Sequence, residues 1–353
     1  MLPQPGLDHA TGSLDPGGSP DPGGNLDPGP LRDLPADDLG STDWVAAMRA
    51  GDWERSWRIN DRVLAARDPA TADDPTLPYH LRWVWDGTPP DGRHALVRCY
   101  HGLGDTLQFA RYLPRLRERA ARVTLEAQPE LAGLLAKVPG ADEVVPFQLD
   151  APLPPAPCTL EIMELPHALR VPPPPAPYLA VPGTAPTPPP DSGPLRVGLC
   201  WGAGAWNPAR SVPLALLAPL ARLPGVALVS LQRGPAAEEA LAPGAPPFLN
   251  PRDRGLDAAE TARTLLGLHL VVTVDTMVAH LAGALGRPGL VLLRRDADWR
   301  WPHGPDASPW YPSLRLARQD EEGDWTDPVA DAAEAVAALA ARLARSRRAR
   351  VGL

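Results

Sequence analysis

From Ala95 to Leu293, short apolar runs alternate with longer stretches whose apolar residues recur every three or four positions. The runs at 95–100, 122–127, 143–147 and 159–163 read as buried strands. The stretch 107–121 reads as a helix that Pro114 kinks or ends, and 165–169 as a short helix. After a Pro-rich stretch the pattern restarts, with strands at 195–201, 226–231, from Val271 and at 289–293. Helices are expected from Leu214, over 258–267 and over 327–345. Alternation of this kind predicts parallel sheets with helices packed on their faces. The run VVTVDTMVAHLAGALG (271–286) is the most informative, because its strand ends directly at Asp275-Thr276 and His280 follows one helical turn later. Open α/β folds bind ligands at such joints, where the first helical N–H groups are unpaired and the helix dipole is positive. Asp275, Thr276 and His280 suit a phosphate or a sugar hydroxyl, or they cap the helix.

Upstream, apolar positions at Trp44, Met48, Trp53, Trp57, Val63 and Leu64 predict a helix pair over 43–67, broken near Gly51-Asp52, of the tetratricopeptide kind. One such unit cannot stack into a solenoid, so it is expected to pack on the next domain. Residues 1–40 are dominated by Pro, Gly and Asp and repeat Leu-Asp-Pro at Leu14 and Leu26. They bury too little surface to offset their ordering entropy, and disorder is expected. The expected divisions are a tail (1–40), a helical segment (41–90), an α/β unit (91–180), a stiff Pro-rich linker (181–194), a second α/β unit (195–345) and a basic tail (346–353).

Composition narrows the classes. The 353 residues suffice for two α/β domains and an appendage, and a net charge of −8 lacks the basic excess of a nucleic-acid binder. Lys137 is the one lysine among 34 basic residues, so a phosphate-binding cation is expected to be Arg, whose planar fork takes two oxygens at once. Cys99, Cys158 and Cys200 are dispersed with no C-x-x-C, which reads as buried thiols in a reducing cytosol. The 8 His are scattered without an H-x-x-x-H pair, so no metal is expected. With no export leader and no membrane-length apolar run, the expectation is a cytoplasmic protein. The basic end (Arg342, Arg345, Arg347, Arg348 and Arg350) offers at most peripheral contact with the inner membrane.

Three loops are candidates for chemistry. In His101-Gly-Leu-Gly-Asp-Thr106 two glycines permit a tight turn and a close backbone approach. Leu107 stands where a dinucleotide fingerprint needs its third Gly, which counts against an NAD-linked oxidoreductase. Asp105 reads first as a helix cap and second as a catalytic residue. The loop from Cys200 to Pro213 is Gly-rich and delivers Arg210-Ser211, as a diphosphate cradle or a solvated surface loop. The third loop, Asp298-Trp-Arg-Trp301 with Ser308-Pro-Trp-Tyr-Pro312, lines a sugar or base pocket or plugs the interdomain seam; packing is favoured for the Trp residues.

Taken in order, HGLGDTLQFARYLP (101–114), IMELPHAL (162–169), LRVGLCWGAG with ARSVPLALLAPL (195–220), ALVSLQRGP (227–235), VVTVDTMVAHLAGALGRP (271–288), DWRW (298–301) and SPWYPSLRL (308–316) resemble glycosyltransferase family 9. This is the ADP-heptose:lipopolysaccharide heptosyltransferase group, and the likeness is strongest to its bacterial tetratricopeptide-associated members. It implies a GT-B-like α/β fold of two facing Rossmann-like domains, here with an N-terminal helical segment and a disordered tail. It also implies inverting, metal-independent sugar transfer with no cofactor.

By the resemblance, Asp105 is the general base in an acceptor-side loop with His101, Gly102, Gly104 and Thr106. Arg210 takes the place of the basic residue that stabilises the departing diphosphate. Asp275, Thr276 and His280 contact the donor, with Gly202, Gly204, Ser211, Gln232 and Met277 on the same side. The expected partners are a nucleotide-sugar donor and a glycan, lipid-linked or protein acceptor, not nucleic acid. The first Rossmann half is short, so some of its strands or helices are expected to be missing or replaced by 41–90. The competing reading is a catalytically inactive nucleotide-sugar-binding or scaffold protein.

Overall fold

A computed structural model describes residues 40–184, 189, 192–205, 207–250, 257–304 and 307–351. The tail expected over 1–40 lies outside the described residues apart from Gly40, and so does part of the Pro-rich linker. Strands β1 (His94–Arg98), β2 (Arg122–Ala127), β3 (Glu143–Pro146) and β4 (Cys158–Glu161) form one sheet in the order β3-β2-β1-β4. A second sheet holds β5 (Leu195–Cys200), β6 (Val226–Ser230), β7 (Leu270–Val274), β8 (Gly289–Leu293) and β9 (Leu314–Arg318) in the order β6-β5-β7-β8-β9. Every pairing is parallel; Val97, for example, lies opposite both Leu125 and Leu160. All residues of β7 and β8 are buried, which is why these strands read as unbroken apolar runs.

The helices are α1 (Gly40–Ala50), α2 (Trp53–Ala66), α3 (Leu103–Phe109), α4 (Leu113–Arg119), α5 (Pro129–Leu135), α6 (Leu165–Leu169), α7 (Leu214–Leu217), α8 (Ala258–Leu266), α9 (Met277–Ala284) and α10 (Thr326–Val351). Gly51 turns the α1–α2 hairpin at φ +69°, and Asp52 caps α2 by accepting the Arg55 N–H. The helix expected over 107–121 starts four residues early and breaks at Ala110–Tyr112. Pro114 then falls in the first turn of α4, where its missing N–H costs nothing. Neither α5 nor β9 is among the expected elements. Residues 346–351, expected in a basic tail, continue α10 instead. No described helix is long and apolar enough to cross a membrane.

The hairpin α1–α2 straddles the seam between the sheets rather than resting on one of them. Trp44 meets Trp299 edge-on at 5.1 Å, Trp53 meets Trp310 at 5.7 Å, and Arg49 donates to the Ala297 carbonyl at 2.8 Å. On the side of the first sheet, Arg67 pairs with Glu164 at 2.9 Å, and Asp61 lies 2.9 Å from His167 and also pairs with Arg170. Trp299, Trp301 and Trp310 are all buried, so these rings plug the seam.

Candidate active site

In each sheet the strand order reverses once, between β1 and β4 and between β5 and β7. Loops leaving the carboxyl ends at such points diverge and leave a crevice. The loops after β1 and β5 are two of the three candidate loops, and the joint after β7 carries Asp275 and Thr276; the third candidate loop, from Asp298, follows β8.

After β1, Gly102 is the N-cap of α3, and Asp105, three residues on, accepts the Gly102 N–H through Oδ2 at 3.0 Å. Asp105 is therefore not the N-cap; from the first turn one of its oxygens satisfies the N–H of the N-cap glycine. Gln128 braces the loop from below. Its Nε2 donates to the His101 carbonyl at 2.7 Å and its Oε1 accepts the Thr106 hydroxyl at 2.9 Å. The buried His101 ring points toward the end of β4, with Nδ1 3.0 Å from Glu161. Burial opposes its protonation, but the Glu161 and Asp105 charges outweigh burial and raise its pKa. Within the acceptor-side set, Gly102, Gly104 and Asp105 thus remain partly exposed, whereas His101 and Thr106 support the loop from inside.

After β5, Gln232 Oε1 accepts the N–H groups of Trp201 (3.0 Å) and Gly202 (2.8 Å), while Nε2 donates to the Gly202 carbonyl at 3.2 Å. A Cβ on Gly202 would fall 2.7 Å from the Ala236 Cβ, so this glycine is required for packing. Ser211 Oγ accepts the Ala203 N–H at 2.9 Å, and the Gly204 carbonyl accepts from Asn207 at 3.1 Å. Gln232 and Ser211, expected as donor contacts, spend these bonds on shaping the loop. Arg210 reaches Asp275 at 3.4 Å, with both side chains about nine-tenths buried. Thr276, not Asp275, caps α9, accepting the Val278 N–H at 3.3 Å, and Met277 beside it is partly exposed.

The two halves meet at the starts of α3 and α9. A Cβ on Gly104 would sit 2.6 Å from the His280 Cδ2, so only glycine lets these helices approach so closely. His280 is buried against Trp301, ring centroids 5.5 Å apart, with Nδ1 3.0 Å from the Tyr311 hydroxyl. Burial, helped by the Arg300 charge, pulls its pKa down to about 3, so the ring is neutral.

Arg300 was not among the expected site residues, although the Asp-Trp-Arg-Trp motif carried its signal. Its Nη2 donates to Asp105 Oδ1 at 2.5 Å, Nε to Gln108 at 2.6 Å and Nη1 to Asp298 at 2.9 Å, and its guanidinium lies over the Trp299 ring. Burial opposes its charge, but Asp105 and Asp298 overcome that and hold it firmly protonated. The carboxylates of Asp296 and Asp298, two residues apart, are divided between two arginines, Arg49 and Arg300. Among the described residues no group of three or more His, Cys, Asp or Glu is placed to hold a metal ion.

No family model matches the chain. Protein FlbA of Caulobacter vibrioides is 30% identical over 138 residues, which span 37% of this chain and 23% of FlbA. Among solved structures, a glycosyl transferase of family 9 from Veillonella parvula superposes with a TM-score of 0.51 at 14% identity, covering 72% of this chain and 98% of that one. The ADP-heptose LPS heptosyltransferase II of E. coli superposes with a TM-score of 0.50 at 16% identity, covering 72% and 99%. Two parallel α/β halves facing each other across their strand ends give this chain the GT-B fold seen in those glycosyltransferase structures.

Proposed function

We propose that this chain is a glycosyltransferase of the family 9 kind. It moves a sugar from a nucleotide-diphosphate donor to an acceptor hydroxyl, with inversion and without a metal ion. The supporting observation is the convergence of Asp105 from one half with Arg210, Asp275 and the start of α9 from the other. In this reading an Asp105 oxygen takes the proton of the acceptor hydroxyl as that oxygen attacks the anomeric carbon. The bond from that carbon to the diphosphate breaks on the opposite face, and the leaving group departs with the electron pair. Arg210 and the first N–H groups of α9 meet its charge. The acceptor is a glycan, a lipid-linked sugar or a protein. Work in the cytoplasm fits three buried free thiols, with the basic end of α10 as the surface for any membrane contact.

A panel of ADP-, UDP-, GDP- and dTDP-sugars tests the reading through nucleoside diphosphate release and sugar transfer. The wild type should turn over one of them, and Asp105→Ala should lose about 10²–10⁴-fold, the share of a general base. Binding without turnover in the wild type would instead favour the scaffold reading.

A further inference from the structure

We propose that Asp105 and the donor diphosphate compete for Arg300, so that donor binding releases the carboxylate to act as a base. The inference rests on the reading of this cleft as a nucleotide-sugar site. Where the halves meet, three carboxylates (Asp105, Asp275 and Asp298) face two guanidiniums (Arg210 and Arg300). Arg210 lies against Asp275, while Arg300 is shared between Asp105 and Asp298. Arg300 also borders the proposed donor side. The adjacent Trp301 packs against His280 of α9, and the Asp275 charge reaches the guanidinium.

Both Asp105 oxygens are engaged, Oδ1 by Arg300 and Oδ2 by the Gly102 N–H. With Oδ1 taken by the guanidinium and Oδ2 by the backbone, neither oxygen is open to an acceptor hydroxyl. A diphosphate at the start of α9 brings a greater negative charge to the same guanidinium, together with paired oxygens that suit its fork. As Arg300 turns to the phosphate, Asp105 keeps its backbone partner and its Oδ1 is freed to accept the proton of the acceptor hydroxyl. Acceptor deprotonation then waits for the donor. Arg300 is a positioning residue that holds Asp105 until the diphosphate takes its place.

Calorimetric binding of ADP, UDP, GDP and dTDP to the full chain tests this without needing turnover. The comparison set is wild type, Asp105→Asn, Arg300→Met and the double variant. Asp105→Asn keeps shape and removes the competing charge. It should tighten the best-bound diphosphate about tenfold, modest for a close charge pair. Arg300→Met should weaken it about tenfold or more, and in that background Asp105→Asn should give no tightening. Arg300→Lys, which keeps charge without the fork, should fall between and serves if the Met variant does not fold. If Asp105→Asn leaves affinity unchanged or lowers it, or tightens equally without Arg300, the competition is overturned while the nucleotide site stands. If the wild type binds no nucleoside diphosphate, both fall.

Discussion

Acidification should destabilise this protein through His280, and the size of the effect follows from its surroundings. The imidazole is 5% exposed, packed against Trp301 and held near the Tyr311 hydroxyl, with Arg300 and Arg111 opposing its charge and Asp105 and Asp298 favouring it. Its pKa falls from 6.5 in the unfolded chain to about 3 in the fold. A depressed folded pKa gives stability that is complete above the unfolded value and is lost as pH falls toward the folded one. At pH 5 the unfolded chain has bound the proton and the folded protein has not. The gap of roughly 1.5 units corresponds to about 2 kcal/mol. Urea unfolding followed by Trp fluorescence at pH 8 and pH 5, at constant salt, measures it. His280→Gln should flatten the pH dependence by about 2 kcal/mol relative to wild type. His101 works in the opposite sense: its raised pKa adds stability at low pH that is lost as pH climbs through the folded value, so the variant isolates the His280 share. Equal pH dependence in wild type and His280→Gln would refute the reasoning.

Gly104→Ala should cost about 1–3 kcal/mol, because its Cβ meets a His280 ring that cannot turn away, and turnover should fall with it. Gly133→Ala, in a helix with nothing within 4 Å of the new methyl, is the matched control and should be neutral or slightly stabilising in the same melts. Gln232→Ala strands the N–H groups of Trp201 and Gly202 and should cost about 1–3 kcal/mol for each in urea unfolding, with weaker nucleoside diphosphate binding as the Arg210 loop loosens. Trp44→Ala removes the ring wedged against Trp299 and should cost about 3–5 kcal/mol, with faster limited proteolysis of the segment between α2 and β1 as the hairpin lifts.

Much of the architecture was legible because the strands are covered on both faces. The unbroken apolar runs at β7 and β8 leave little choice of element, and the breaks at Gly51 and near Pro114 mark real helix ends. The start of α3 was read four residues late because glycine disfavours helix interiors. There the bond from the Gly102 N–H to Asp105 and the close approach to His280 override that preference. Local pattern also pointed to Asp105, Asp275 and Thr276, since each follows a strand. It could not separate side chains that line the cleft from those that build it: Gln232, Ser211, His101 and Thr106 turn inward to hold their loops. Arg300 escaped for a different reason, because its partner Asp105 lies 195 residues away and only the facing of the two halves brings them together.

The central claim is that a donor diphosphate lies at the start of α9, between Arg210 and Asp105. A crystal structure of Asp105→Asn with the tightest-binding nucleoside diphosphate tests it most directly. The account predicts phosphate oxygens about 3 Å from Arg210 and from the first N–H groups of α9, with Arg300 turned toward them. A diphosphate bound elsewhere, with Arg210 still against Asp275, would contradict it.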